Sequence, residues 1–294
     1  MGAPVYVKAI PRTGGTLLTT MLDAHPEVAM SYEIYSNRLA CETGEGLTPT
    51  GWAEILERVM ETRNGEVARI KEIGDKNLRT FCFRARRGGI ELQEIIDELG
   101  RLETRTVPGR DSDWRHDLID ALMRRKAIKE GKRTWGGKTQ TDLYSLHDRY
   151  PDATFLIMLR DVRDMYASMI NRGSFRYTAR EAATRWYEEI LAFREFVRTR
   201  CPNAMEIDYQ ELVRTPAAVL DRICQLIGIE YSIEMIDYPA NARTLFRNPH
   251  GHLSSEQLQK GLSAESIGRW KTDLSNRDVT EIMSIAGDLI DVRW

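Results

Sequence analysis

Two short segments of this 294-residue chain carry residue types and spacings suited to gripping a phosphate or a sulfate. The first is Arg12-Thr13-Gly14-Gly15-Thr16, set between an apolar β-branched run and a helical pattern. A glycine turn at such a junction exposes successive backbone N–H groups at the positive end of the following helix, where an anion is stabilised. Arg12 adds a forked cation at the entrance, and Thr13 and Thr16 add hydroxyl donors. A bare Gly-Gly pair serves a tight turn equally well; the flanking strand and helix favour the anion loop. The nucleoside-triphosphate loop GxxxxGK[ST] is absent. GKRTWGGKT at 131–139 misses its spacing and follows no strand pattern, which argues against a nucleotide triphosphatase.

The second segment is LRDVRDMYASMINRG at 159–173. Arg160 stands at the carboxyl end of an apolar run, the edge at which open α/β sheets bind ligands. Ser168 and Arg172 are four apart and so share a helix face. Each arginine alone reads as a solvated charge. Two independent cation-bearing junctions are harder to dismiss as solvated charge.

The elements that must position these residues follow from periodicity. Residues 4–10 read as a strand ending at Pro11, and Leu17, Leu18, Met21 and Leu22 fall at helical spacing before Pro26. The run 153–159 repeats the strand-to-helix order, and a third short strand is expected at 204–207. The pattern predicts an α/β fold with a short central parallel sheet and crossover helices in a single domain, 1–294. Residues 42–135 carry mostly helical patterns without a clear strand, and are expected to form a helical insertion shaping an acceptor site. Long helices are expected past 175, one of them QELVRTPAAVLDRICQLIG, and a loop over 239–265.

Composition narrows the function. Hydrophobic residues at 42% and charged residues at 29% fit a globular protein and exclude a disordered or fibrous chain. A formal net charge of -2 gives no bulk attraction to nucleic acid, so an anion site must be local. Cys41, Cys82, Cys201 and Cys224 form no CxxC pair, which fits a reducing, cytoplasmic setting rather than a zinc ribbon or a disulfide framework. No leader-like segment or membrane-spanning run is read from the chain.

Taken in order, RTGGTLLTTMLDAHPEV resembles the 5′-phosphosulfate loop of sulfotransferases that use 3′-phosphoadenosine 5′-phosphosulfate (PAPS), and LRDVRDMYASMINRG resembles their 3′-phosphate motif. DYQELVRTP is similar to the family's YEDLV segment, and LSSEQLQKGLSAESIGRW to its closing Ser…Lys…Trp region. The resemblance implies a three-layer, P-loop-like fold and transfer of a sulfuryl group from PAPS to a hydroxyl or amine, leaving adenosine 3′,5′-bisphosphate (PAP), without a metal. It implies that Arg12 and the amides of Thr13, Gly14, Gly15 and Thr16 meet the 5′-phosphosulfate. Arg160, Ser168 and Arg172 would hold the 3′-phosphate, Tyr209 would lie near adenine, and Ser254 and Lys260 would close a C-terminal loop over the cofactor.

Glu33, after the strand VAMSY, stands where the protein-tyrosine and several carbohydrate branches keep a catalytic glutamate. An attacking hydroxyl must lose its proton, and a carboxylate within reach can take it. Lys138 in WGGKTQ matches a segment whose lysine neutralises charge on the transferring group. Among the histidines, His25 reads as helix-terminal and structural, His116 and His147 fall on helical patterns, and His250 and His252 lack companions for a metal site. Trp186 and Tyr187 read as core. The runs Arg84-Ala85-Arg86-Arg87 and Arg124-Arg125-Lys126 could recognise an anionic acceptor, but solvated faces are the commoner explanation. Tyr35 and Leu39 occupy positions where the protein-tyrosine branch has arginines, so a carbohydrate, lipid or small-molecule acceptor is expected, with no nucleic-acid partner. The rival readings are a nucleotide kinase on a similar scaffold and a nucleotide-binding protein without turnover.

Overall fold

Strand formation is dictated by short apolar runs buried on both faces, the pattern of a parallel sheet covered by helices. A computed structural model describes residues 1–35, 48–62, 64–103, 114–171, 176–240 and 255–291. Within them β1 (Val5–Ala9), β2 (Val28–Tyr35), β3 (Thr134–Thr139), β4 (Thr154–Leu159) and β5 (Ala204–Asp208) form one parallel sheet in the order β2-β3-β1-β4-β5. The chain leaves β1 toward the β2 edge and later crosses to β4 and β5 on the other side. The carboxyl end of β1 therefore faces the point where strand order reverses, the usual ligand crevice of an open α/β sheet.

One face of the sheet presents Val5, Val7, Met30, Tyr32, Leu156 and Met158 to helix α1 (Gly15–Ala24) and to helices near the C-terminal third of the chain. The other presents Tyr6, Trp135, Phe155 and Ile157 to the remaining helices. Between β2 and β3 lie α2 (Pro49–Met60), α3 (Glu66–Glu72), α4 (Lys76–Arg87), α5 (Leu92–Glu103) and α6 (Trp114–Lys129). Helix α7 (Leu143–Arg149) leads to β4, and α8 (Val162–Ile170) and α9 (Ala179–Thr199) lead to β5. Then follow α10 (Tyr209–Arg214), α11 (Pro216–Ile227), α12 (Ser255–Gln259), α13 (Trp270–Asp273) and α14 (Asn276–Asp291). Among the described residues no helix is long and apolar enough to cross a membrane.

Three expectations are corrected. The helical segment ends before residue 135, because β3 starts at Thr134 and is a central strand between β2 and β1. In TWGGKT two adjacent glycines interrupt the strand-favouring Thr134, Trp135 and Thr139. Its glycines are there for close approach: a Cβ on Gly136 would fall 1.8 Å from the Val5 carbonyl oxygen, and one on Gly137 would fall 2.2 Å from Ser31 Oγ. The segment QELVRTPAAVLDRICQLIG is two helices, since Pro216 cannot donate into a continuing helix and instead opens α11. The polar stretch 239–265 contains α12, while 241–254 lies outside the described residues.

Candidate active site

The carboxyl ends of the strands converge on a cavity of about 340 Å³. Its central wall is the turn after β1. Thr13 donates both its backbone N–H (3.2 Å) and its hydroxyl (2.8 Å) to the Ile10 carbonyl, closing the turn. Gly14 adopts φ 98°, and a Cβ there would lie 2.5 Å from the Tyr209 ring; one on Gly15 would lie 2.3 Å from Ala9 Cβ. Packing therefore requires both glycines, and at Gly14 the left-handed backbone of the turn requires one as well. The first intrahelical bond of α1 runs from the Leu18 N–H to Gly14 O, and no side chain caps the helix. The N–H groups of Gly15, Thr16 and Leu17 consequently precede the helix ladder and end at the cavity, where all three residues line the wall. Thr13 is the correction: its amide and hydroxyl are spent inside the turn, and it does not line the cavity.

A second wall comes from the β2–β3 pair. Tyr32 pairs with Lys138 and Tyr35 with Thr139, so β2 bulges over Glu33 and Ile34. Unbroken alternation would send Glu33 to the sheet face opposite Tyr32 and Lys138. At the bulge Glu33 takes φ 62°, and its carboxylate reaches Lys138 Nζ at 2.5 Å. Lys138 Nζ also donates to Thr16 Oγ1 at 3.4 Å, linking this wall to the turn. Arg84 on α4 fastens the bulge, donating to the Glu33 carbonyl at 3.1 Å and standing 3.7 Å from its carboxylate. Among the described residues Arg12 (φ 74°) and Glu33 are the non-glycine residues with left-handed backbone. Each such conformation costs about 1–3 kcal/mol and persists only where surrounding contacts enforce it.

The third wall joins β4, β5 and the C-terminal segment. Arg160 is 4% exposed; it donates to the Arg12 carbonyl (3.0 Å) and the Ser266 carbonyl (2.5 Å), and its guanidinium carbon lies 4.5 Å from the Tyr209 ring centroid. Its Nε is buried without a hydrogen-bond partner. Burial lowers the Arg160 pKa, opposed by Tyr209 and Asp164 and reinforced by Arg269. The indole N–H of Trp186 holds the Arg160 carbonyl at 2.9 Å, which gives this core residue a positioning role. Arg12 Nε donates to Ser168 Oγ at 3.1 Å, tying the two junctions together. Tyr209 and Ser266 share a hydroxyl–hydroxyl bond of 2.8 Å, and Asp164 accepts from the N–H groups of Gly268 (2.7 Å) and Trp270 (3.1 Å). Burial raises the Asp164 pKa, against those two hydrogen bonds.

The cavity thus brings together Arg12, Gly14, Gly15, Thr16, Glu33, Lys138, Arg160, Ser168 and Tyr209. Arg172 and Ser254 lie outside the described residues, as do His250 and His252. Lys260 is exposed and does not line the wall, which its neighbour Gly261 does. His25 is structural: its ring bonds the Glu230 carbonyl and the Glu27 N–H. Gln140, Ser266 and Arg269 line the cavity without having been singled out for it, and Arg87 lines it although a solvated face was the commoner reading of its run. Not every residue of the basic runs is solvated: Arg84 grips Glu33, Arg87 lines the cavity and Lys126 is buried against Asp23 at 3.2 Å, while Arg124 is exposed. Among the described residues no cluster of three or more His, Cys, Asp or Glu could hold a metal ion.

Residues 4–232 match the family described as "Sulfotransferase family". Protein-tyrosine sulfotransferase A of Caenorhabditis elegans is 20% identical over 292 residues, covering 96% of this chain and 64% of the relative. Protein-tyrosine sulfotransferase 2 of Gallus gallus is 23% identical over 290 residues, covering 90% and 62%. The chain therefore spans less than two thirds of the length of these two relatives. The sulfotransferase domain of the Synechococcus PCC 7002 olefin synthase superposes with a TM-score of 0.60 at 17% identity, over 97% of this chain and 96% of that one. The sulfotransferase domain from the curacin biosynthetic pathway gives 0.58 at 16%, over 99% and 98%. At these identities the structural likeness is one of fold.

Proposed function

The chain belongs to the sulfotransferase family, and we propose that it moves a sulfuryl group from PAPS to a hydroxyl or amine of a small-molecule, lipid or carbohydrate acceptor, with Glu33 as general base. The observation that carries this reading is one cavity lined jointly by Arg12, Lys138, Glu33, Arg160 and Ser168, delivered from the carboxyl ends of β1, β2, β3 and β4.

PAPS supplies an activated sulfuryl group whose departure leaves PAP. The residues fit its two anionic ends: three first-turn amides and Arg12 at one, and the unpartnered Nε of Arg160 with Ser168 at the other. Arg269, which also lines the cavity, adds a cation on the Arg160 side. Lys138, 9% exposed, stabilises negative charge growing beside Thr16 more strongly than it would in water. Glu33 takes the acceptor proton at its carboxylate. Tyr209 offers a ring face already braced by Arg160 and a hydroxyl fixed by Ser266. The segment 255–269 contributes Gln257, Leu258, Gly261, Ser263, Ser266 and Arg269 to the wall and so limits water around the reacting groups.

The test is calorimetric titration with PAP and with ADP, followed by radiolabelled PAPS with fractionated extract. PAP binding that depends on the 3′-phosphate, with label appearing on an acceptor, supports the reading. Equal affinity for ADP, with phosphoryl transfer to an acceptor from added ATP, would point to a kinase, and PAP binding without transfer to any fraction would point to a non-catalytic protein.

A further inference from the structure

Helix α1, which follows the anion turn, and β2, which carries Glu33, are tied together at successive levels of the sheet. Near the far end of α1 the Asp23 carboxylate accepts from the Met30 N–H at 2.7 Å. About a turn nearer the cavity, the Tyr32 hydroxyl donates to Thr20 Oγ1 at 3.2 Å. At the cavity itself Lys138 Nζ joins the two elements, donating to Thr16 Oγ1 at 3.4 Å and meeting the Glu33 carboxylate at 2.5 Å. Thr16, Thr20 and Asp23 are four and three apart, so they share one face of α1. The bulge lets Glu33 join the side of β2 that Tyr32 already presents to that face.

The middle tie bears directly on the reacting groups. Thr20 Oγ1 spends its own proton on the Thr16 carbonyl at 2.8 Å, so the phenol of Tyr32 is the donor between the two hydroxyls. Burial, reinforced by Asp23, raises the Tyr32 pKa well above its ordinary value, and the phenol keeps the proton this bond needs. The result is a closed circuit. It runs from Tyr32 to Thr20, Thr16, Lys138 and Glu33, and returns to Tyr32 through one peptide bond. Glu33 holds a left-handed backbone that its neighbours must enforce, and Tyr32 is the last residue paired in register before it. Arg84 grips the bulge at the Glu33 carbonyl, while Tyr32 anchors the strand on its approach. A bulge released on its approach can shift by one residue, which turns Glu33 to the other face of the sheet.

Resting on the proposed sulfuryl transfer, we infer that Tyr32 and Thr20 are positioning residues of that reaction: their hydroxyl bond locks the β2 bulge to α1 and sets how far the Glu33 carboxylate stands from the anion turn. Both are buried and neither lines the cavity. They act on transfer through Glu33 and Lys138, and not through contact with either substrate.

The experiment compares wild type with Tyr32→Phe, Thr20→Val, Thr20→Ser and the Tyr32→Phe/Thr20→Val double variant, using radiolabelled PAPS and the acceptor that takes up label. Tyr32→Phe keeps the ring, and Thr20→Val keeps the volume and the β-branch. Each should lower kcat about tenfold, part of the roughly 100-fold cost of a 1 Å misplacement. PAP affinity by calorimetry and the acceptor KM should change by less than about twofold. The double variant should fall no further than the single ones, since both remove the same bond. Thr20→Ser keeps the hydroxyl and should recover most of the rate. A Tyr32→Phe kcat equal to wild type, single losses that multiply to about 100-fold in the double variant, or a Thr20→Ser loss as deep as that of Thr20→Val overturns the inference. So does a fall in PAP affinity that matches the fall in kcat, which is what general loosening of the fold would give. Failure of wild type to bind PAP or to label any acceptor removes the sulfotransfer reading instead. The brace is then read by hydrogen exchange: Tyr32→Phe and Thr20→Val should each speed exchange about tenfold in residues 28–35 and leave 154–159 unchanged, and wild-type rates in 28–35 overturn it.

Discussion

Lys138 Nζ lies 2.5 Å from the Glu33 carboxylate, although a regular strand would have put the two side chains on opposite faces of the sheet. The bulge in β2 makes the contact, and Arg84 fastens the bulge from α4. In this arrangement the lysine both neutralises the carboxylate and stands next to Thr16 at the mouth of the anion turn.

Glu33→Gln keeps the shape and the bulge but cannot take a proton. Sulfate transfer should fall by at least about 100-fold in kcat, with PAP affinity by calorimetry unchanged. Full activity in this variant would remove Glu33 as the base.

Lys138→Met keeps much of the buried stem and deletes the charge. The expected loss is about 100–1000-fold in kcat, the scale of removing one stabilising donor from a transition state. Single-turnover kinetics separates it from a binding defect, since the amides of Gly15, Thr16 and Leu17 proposed to hold the anion are unchanged.

Gly14→Ala places a methyl group 2.5 Å from the Tyr209 ring at φ 98°. Stability should drop by about 1–3 kcal/mol in chemical denaturation, and PAP affinity should fall with it because the turn and Tyr209 cannot both keep their places. A variant as stable as wild type would show that the turn relaxes freely.

Ser168→Ala removes the partner of Arg12 Nε and one hydroxyl at the β4 junction. The predicted result is a loss of about tenfold in affinity for PAP with little change for ADP, compared by titration. A parallel loss for both nucleotides would contradict a role at the 3′-phosphate.

Lys126→Met tests the buried pair beneath α1. Asp23 (2% exposed) accepts from the Met30 N–H at 2.7 Å and from Lys126 at 3.2 Å. Removing the lysine leaves that carboxylate buried with less compensation, a loss of about 3 kcal/mol. Burial opposes the Lys126 charge, but Asp23 and Glu130 outweigh it and hold its pKa above the ordinary 10.5. With a raised folded-state pKa, the contribution is complete below the unfolded value and is lost as pH climbs through the folded one. Wild type should therefore lose more stability than Lys126→Met as pH climbs through the raised Lys126 value, read by denaturant melts.

The residues proposed to grip anions were legible because each lies within a local pattern. The turn at 12–16 and the junction at 159–168 are strand-to-helix transitions, and backbone amides at a helix start face the same way whatever surrounds them. Apolar runs likewise announced β1, β4 and β5. What local pattern could not supply was anything arising from contacts between distant segments. β3 was hidden because its glycines serve close backbone approach to Val5 and Ser31, not strand preference. Thr13 read as a ligand until the turn folded its donors onto Ile10. Arg84 and Arg87 read as a solvated run until α4 packed against β2 and carried Arg84 to Glu33 and Arg87 to the cavity wall. Sequence alone marked most of the groups proposed to hold a sulfate or phosphate, since that chemistry resides in residue type and near neighbours. Tertiary structure decided which cations share the cavity and that Lys138 and Arg84 flank the Glu33 carboxylate, because those pairings are set by distances between segments far apart in the chain.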